Sequence, residues 1–128
     1  MPSFWNTLAT SDLERSRTFY TALGFEVRPG PDGVPCFTVH PNAGSTTCMF
    51  ERDAFANMIP GRPCDTSESQ ELVQSLGYDS RAEVDALLQR ARDAGAAWAG
   101  EGQDQPFGYA AGFADPDGHV WAVLSFTR

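Results

Sequence analysis

The sequence predicts a small α+β domain made of two βαβββ modules. A pattern of strand, capping box, helix and glycine occurs twice, about 70 residues apart, which is typical of a duplicated module. Short strand-like runs follow each helix, and a length of 128 residues suits one domain with a single core. We therefore expect one domain over 1–128, with a first module at about 1–59, a linker at about 60–70 and a second module at about 71–128.

The first module begins with a strand at 4–10 and an S-x-x-E capping box at 11–14, which satisfies free amides at a helix start. The helix that follows has apolar residues on one side and ends at Gly24, because glycine takes the left-handed cap without steric cost. Turn residues then separate three further strands, which we place at 25–28, 36–40 and 46–51.

The second module repeats this order, with a strand at 72–78 and an S-x-x-E box at 80–83. Apolar residues at helical spacing then continue to Gly95. A D-P-D-G segment at 115–118 has the arrangement of a type I turn, so the last two strands should form a hairpin. The total is two helices and eight strands, the last three of them at 97–99, 109–114 and 119–126.

Composition excludes several classes of protein. Cys36, Cys48 and Cys64 form an odd set without a C-x-x-C pair, so neither a disulfide framework nor a zinc ribbon is expected. A reducing cytoplasm is the location that this cysteine usage favours. The formal net charge of −8 repels phosphate backbones, which argues against a nucleic-acid partner. No apolar run is long enough to span a membrane.

Three segments together resemble one family. Residues 12–25 match D-L-x-R-S-x-x-F-Y-x-x-L-G-F, residues 79–85 with 94–96 resemble a second helix, and residues 113–121 match F-x-D-P-D-G-x-x-W. They are similar to the vicinal oxygen chelate proteins, the group of glyoxalases, bleomycin resistance proteins and extradiol dioxygenases. The resemblance implies two βαβββ modules whose curved mixed sheets form a cup, commonly completed or exchanged across a homodimer.

In metal-using members of this family, His or Glu side chains from four strands hold a divalent cation in the cup. The resemblance places these positions at Trp5, Met49, Val73 and Ala122, with Glu51 as the alternative for the second. These residues do not make a metal site, so we expect no metal and no cofactor. Whether the chain is an enzyme stays open, since the inherited lyase or dioxygenase chemistry depends on that cation.

The residues that replace the ligands suit a small-molecule pocket, with apolar walls and a few polar groups. The expected function is metal-independent binding of a small, partly apolar molecule in the cup, and Glu51 would favour a cationic ligand. Two alternatives are a glyoxalase-like lyase or isomerase that uses Glu51, and a structural or interaction protein with a filled cup. The expected ligand-binding residues are Trp5, Thr7, Thr47, Met49, Glu51, Val73, Ser75, Phe107, Tyr109 and Ala122.

Overall fold

The computed structural model describes residues 1–127 and separates into two compact units, Met1–Cys64 and a second unit that begins at Asp65. Each unit contains one mixed β-sheet and one long helix, which confirms the predicted α+β class. The boundary between the units lies inside the segment 60–70. Among the described residues, no helix has the length and apolar character needed to cross a membrane.

The first unit has a four-stranded sheet in the order β1-β4-β3-β2, in which β1 and β4 are parallel and the other neighbours antiparallel. Each predicted strand is present, with ends shifted by up to two residues, as is usual at element boundaries. A short helix after the fourth strand was not predicted. The elements are β1 Asn6–Thr10, α1 Leu13–Ala22, β2 Glu26–Pro29, β3 Cys36–Asn42, β4 Ser45–Glu51 and α2 Arg52–Ala56.

The start of α1 differs from the predicted capping box. Asp12, not Ser11, is the N-cap, and its carboxylate accepts a 3.0 Å hydrogen bond from the amide of Arg15. Ser11 lies one residue too early for this role, and its hydroxyl instead accepts a bond from the Arg15 guanidinium. The predicted helix end is confirmed, since Gly24 has a φ of 89° directly after the C-cap Leu23.

The second unit has the strand order β5-β9-β8-β6, and β7 pairs with another part of β8. Ser80 caps α3 as predicted, because its hydroxyl accepts from the amide of Glu83 and donates to the Glu83 carboxylate. The D-P-D-G turn is also confirmed, since the amide of Gly118 donates to the carbonyl of Asp115 at 2.9 Å. The elements are β5 Val73–Tyr78, α3 Arg81–Asp93, β6 Trp98–Ala99, β7 Gln103–Gln105, β8 Gly108–Ala114 and β9 Val120–Ser125.

Each sheet packs its own helix on one face, and we call the other face its open face. In the first unit α1 packs against β2, β3 and β4, and Phe37 and Val39 are fully buried. In the second unit α3 packs mainly against β8 and β9, where the stacked rings of Phe113 and Trp121 lie 6.2 Å apart. Because side chains alternate along a strand, the residues that lie between these helix-facing residues belong to the open faces.

Candidate functional site

A groove of about 400 Å³ lies on the open face of the second unit. Its floor is β8 and β9, where Ala110 pairs with Leu124 and Gly112 pairs with Ala122. Alanine and glycine occupy most of this floor, so little side-chain volume fills the space above it. The lining includes Trp98, Gly100, Glu101, Gln103, Gly112 and Ala122.

Trp98 forms a wall of the groove, and 55% of its surface is exposed. A methyl group added at Gly100 would lie 3.1 Å from Cζ2 of the indole, and one at Gly112 would lie 3.2 Å from Cζ3. Neither glycine has a positive φ, so backbone geometry does not require glycine at these positions. We attribute the presence of glycine at both positions to the space that the indole occupies, since a backbone without a side chain lets an aromatic ring approach closely.

The polar end of the groove has charged groups of both signs nearby, since the guanidinium of Arg92 donates a 2.8 Å hydrogen bond to the carbonyl of the lining residue Gly100. Glu101 and Gln103 are the polar side chains of the lining, and Glu101 is its ionisable group. The second unit as a whole contains eleven Asp and Glu and four Arg between positions 65 and 128, which gives a net charge of −7. The first unit has six acidic and five basic residues, a net charge of −1. Most of the negative charge of the chain is therefore in the unit that contains the groove.

Among the residues predicted from the sequence, three lie on the open face of the second sheet. Val73 and Ser75 are exposed on β5, and Ala122, the Cα partner of Ser75, lines the groove. Phe107 contacts Phe126, with ring centroids 5.6 Å apart, and it does not line the groove.

Tyr109, one of the expected ligand-binding residues, lies on the helix side of β8 and not on the open face. Its hydroxyl donates a 2.7 Å hydrogen bond to the carboxylate of Asp85 on α3, and Arg81 lies over its ring at 4.7 Å. The hydrogen bond to Asp85 raises the pKa of Tyr109 above its usual range. Tyr109 pairs with the buried Ser125, so the alternation of β8 places it on the helix side.

In the first unit, the residues of β4 that were expected to line the pocket lie on the helix side of the sheet and not on its open face. Thr7 pairs with Cys48, whereas Met49 pairs with Leu8 and is fully buried beside Phe37. A shift of one residue along a strand turns its side chain to the other face, so Met49 cannot share a pocket with Thr7. Thr47 is buried on the same side as Met49.

Glu51 has a structural partner. Its carboxylate accepts a 3.0 Å hydrogen bond from the amide of Asp53 and caps the short helix α2. This placement does not match the prediction that Glu51 faces the pocket, because Glu51 follows Met49 at the spacing that keeps it on the helix side. Trp5 precedes β1 and is about as exposed as Trp98.

The open face of the first unit carries the imidazole of His40. His40 is held by two hydroxyls, Thr38 at 2.8 Å from Nε2 and Thr46 at 3.2 Å from Nδ1. His119 follows the hairpin turn, and its amide donates to the carboxylate of Asp115. Over residues 1–127, no three His, Cys, Asp or Glu side chains come together as a metal site.

The thiols of Cys36 and Cys48 lie on neighbouring strands and are both more than nine-tenths buried. Burial, and secondly the nearby Cys36, raises the pKa of Cys48 to about 12. At about pH 8 only about one Cys48 in 10⁴ would be a thiolate, the form that reacts with disulfide reagents. We therefore expect Ellman's reagent to titrate one thiol of the native protein rapidly, the exposed Cys64.

Denaturant should release the other two thiols, and Cys64→Ser should remove the rapid phase. Rapid reaction of any thiol in the native Cys64→Ser variant would contradict the buried placement of Cys36 and Cys48.

The donor set at the four inherited positions does not fit the divalent cation of the metal-using relatives. Trp5, Val73 and Ala122 provide no imidazole and no carboxylate. On β4, Met49 is buried on the helix side, and its neighbours Cys48 and Phe50, which alternation places on the open face, provide neither group. The alternative Glu51 already bonds to the backbone at the start of α2.

Comparison with known proteins agrees with the fold and the motifs. The family model of the glyoxalase/bleomycin resistance protein/dioxygenase superfamily matches residues 5–123. The hypothetical protein SA1046 from S. aureus is 31% identical with a TM-score of 0.86, over 98% of this chain and 94% of that one. A glyoxalase-related enzyme from Fulvimarina pelagi is 21% identical with a TM-score of 0.79, over 98% and 88% of the two chains.

A lactoylglutathione lyase from Agrobacterium tumefaciens shares the fold at 19% identity, with a TM-score of 0.68 over 96% of this chain and 92% of that one. Comparison with proteins of curated function found no match. The match of the family model over nearly the whole length shows that this chain belongs to the glyoxalase/bleomycin resistance protein/dioxygenase superfamily.

Proposed function

We propose that this protein binds a small, partly apolar molecule in the groove of the second unit, without a metal. The observation that carries the proposal is the half-exposed indole of Trp98, which two glycines allow to rest against the backbone beside an open groove. Large aromatic side chains that are kept partly exposed in a concave site are typical of ligand pockets. The proposed ligand surface comprises Trp98, Glu101, Gln103 and Ala122.

The low floor of the groove favours a ligand-binding role over a purely structural role in which side chains fill the site. A filled site would place large side chains over the sheet, whereas Ala110, Gly112 and Ala122 leave the space above β8 and β9 open. A ligand that covered about 100 Å² of apolar surface here would gain about 2.5 kcal/mol from burial alone. Exposed Val73 and Ser75 continue this face along β5 and would extend the contact for a longer ligand.

Metal independence rests on the donor set described above, because a Lewis-acid site needs anionic or imidazole ligands that compete with water. The proposal includes a homodimer, which would cover exposed apolar residues of the second unit such as Leu72 and Phe126. It also includes a cytoplasmic location, which suits three free cysteines.

The test compares two glycines on the open face of the same sheet. Gly112→Ala would press a methyl group against the indole of Trp98 and the carbonyl oxygen of Trp121, each at 3.2 Å, whereas Gly77→Ala meets nothing within 4 Å. We expect a fragment screen by ligand-observed NMR, on protein dialysed against EDTA, to give hits whose Kd rises about tenfold in Gly112→Ala and is unchanged in Gly77→Ala. A tenfold change corresponds to about 1.4 kcal/mol, the size expected when one ring shifts from its contact.

Two results would overturn the proposal. One is a screen in which hits bind only after a divalent cation is added back to the dialysed protein. The other is a set of hits whose affinity is the same in both glycine variants. The melting temperatures of Gly112→Ala and Gly77→Ala show whether each variant is folded.

A further inference from the structure

We infer that Gln103 is the specificity-determining residue of the groove and that it selects flat ligands with a lactam or carboxamide edge. The inference rests on the proposed function, since it names the chemical class that the same groove would accept. Three observations carry it: the side of β7 on which Gln103 lies, its spacing from the indole of Trp98, and the opposite charges at the polar end of the groove.

The first step concerns the direction of the Gln103 side chain. On β7, Asp104 pairs with Tyr109, and its carboxylate forms an ion pair with Arg81 of α3, so Asp104 lies on the helix side. Because side chains alternate along a strand, Gln103 lies on the open face, beside its Cα partner Ala110. Gln103 is exposed there, and both residues line the groove, so the amide is accessible to a ligand.

The second step concerns shape. Trp98 pairs with Ala114 on β8. Gln103 pairs with Ala110, four residues earlier on the same strand, which is about 13 Å away along it. The indole of Trp98 extends over Gly112, between these two positions, and shortens the gap. A flat ring system that rests against the indole can therefore bring one of its edges to the Gln103 amide.

The third step concerns charge. Glu101 is the ionisable group of the lining, and the guanidinium of Arg92 donates to the carbonyl of Gly100, the residue before it. Charges of opposite sign that lie close together partly cancel at a ligand, so the net charge of the ligand gives little selection here. The neutral amide of Gln103 is then the polar group of the lining that distinguishes one ligand from another.

The chemistry of this amide defines the class of ligand. A glutamine side chain presents a carbonyl acceptor beside N–H donors. A lactam or carboxamide edge presents the complementary pair in one plane, so it forms two parallel hydrogen bonds with Gln103. A carboxylate edge offers acceptors alone and an ammonium edge donors alone, so each satisfies half of the glutamine amide.

The experiment compares 2-quinolinone, which has a lactam edge, with 1-methyl-2-quinolinone, in which a methyl group replaces the N–H donor. We expect calorimetric titration to give a Kd about fivefold higher for the methylated ring, which corresponds to about 1 kcal/mol, the size of one neutral hydrogen bond. In Gln103→Leu the two probes should bind equally, because leucine offers no hydrogen bond. The matched control is Gln105→Leu, which removes the same amide from the same strand outside the groove lining and should keep the fivefold ratio.

The outcomes separate this inference from the proposed function. A fivefold ratio that persists in Gln103→Leu would overturn the inference, because the methyl group would then act through its size. Equal binding of both probes to the native protein, with loss of affinity in Gly112→Ala, would overturn the lactam class while the groove remained the binding site. If neither probe binds, the inference falls, and the fragment screen decides separately on the proposed function. Circular dichroism shows whether each glutamine variant is folded.

Discussion

Replacement of Trp98 by leucine should weaken the binding of groove ligands by about thirtyfold. The indole lies against Gly100 and Gly112 with 55% of its surface exposed, so a ligand in the groove would cover much of its free face. If about 80 Å² of that face is buried by the ligand, the lost contact is worth about 2 kcal/mol, which is about thirtyfold in Kd. Because Trp98 is exposed, its loss should change the free energy of unfolding by less than about 1 kcal/mol.

The matched control for this variant is Trp5→Leu. Trp5 is 56% exposed, so both substitutions remove a similar exposed indole, but Trp5 belongs to the first unit. Calorimetric Kd values for hits from the screen should rise in Trp98→Leu and stay within about twofold in Trp5→Leu. The reverse result would move the site to the position that sequence analysis assigned to Trp5 and would remove the case for the groove.

Most of the fold could be predicted because its signals are local. The caps of α3, the glycine after α1 and the D-P-D-G turn each depend on a few consecutive residues, and each is present in the structure. The two elements that were not predicted, α2 and β7, are only five and three residues long. The β7 strand is polar and forms through its pairing with β8, so periodicity within it gave no signal.

The site was harder to predict because it depends on which face each strand presents. The strand β4 is paired with β1, which lies about 40 residues earlier, and this pairing sets Met49 opposite Leu8. The pocket position on β4 that was carried over from the family motifs was one residue off. Thr47, Met49 and Glu51 were therefore expected in the pocket, whereas they lie on the helix side. Tyr109 lies inside β8, where its pairing with Ser125 places it on the helix side.

Trp98 was missed although it falls inside a predicted strand. Only the pairing of Trp98 with Ala114 shows that its indole shares a face with Gly112. A signal was present in the sequence, since Gly100 directly follows the predicted strand 97–99, Gly112 lies inside the predicted strand 109–114, and neither marks a turn. A glycine within a strand pattern often marks the close approach of another group, and here that group is an aromatic ring.

The hairpin turn that joins β8 and β9 requires glycine at position 118 because of its backbone conformation and its close contacts. Gly118 has a φ of 94°, and an added Cβ would collide with the carbonyl oxygen of Thr66. The hydroxyl of Thr66 donates to the carbonyl of Asp117, and the side-chain amide of Gln70 donates to the carbonyl of Gly118 at 2.6 Å. Residues after the unit boundary are thus bonded to the turn that joins β8 and β9.

Gly118→Ala should therefore lower the free energy of unfolding by about 3 kcal/mol. The left-handed conformation costs an alanine about 1 kcal/mol, and the rest comes from the contact with backbone, which cannot move aside as a flexible side chain could. Urea denaturation followed by circular dichroism measures the change, with the slope of the transition as the check on two-state behaviour.

Gly95→Ala separates the two contributions. Gly95 has a nearly equal φ of 91° in the same unit, but nothing lies within 4 Å of its added Cβ, so only the conformational cost should appear. We expect about 1 kcal/mol for this variant and a difference of about 2 kcal/mol between the two. Equal losses would show that the segment with Thr66 does not hold the turn in solution, because the steric part of the cost would then be absent.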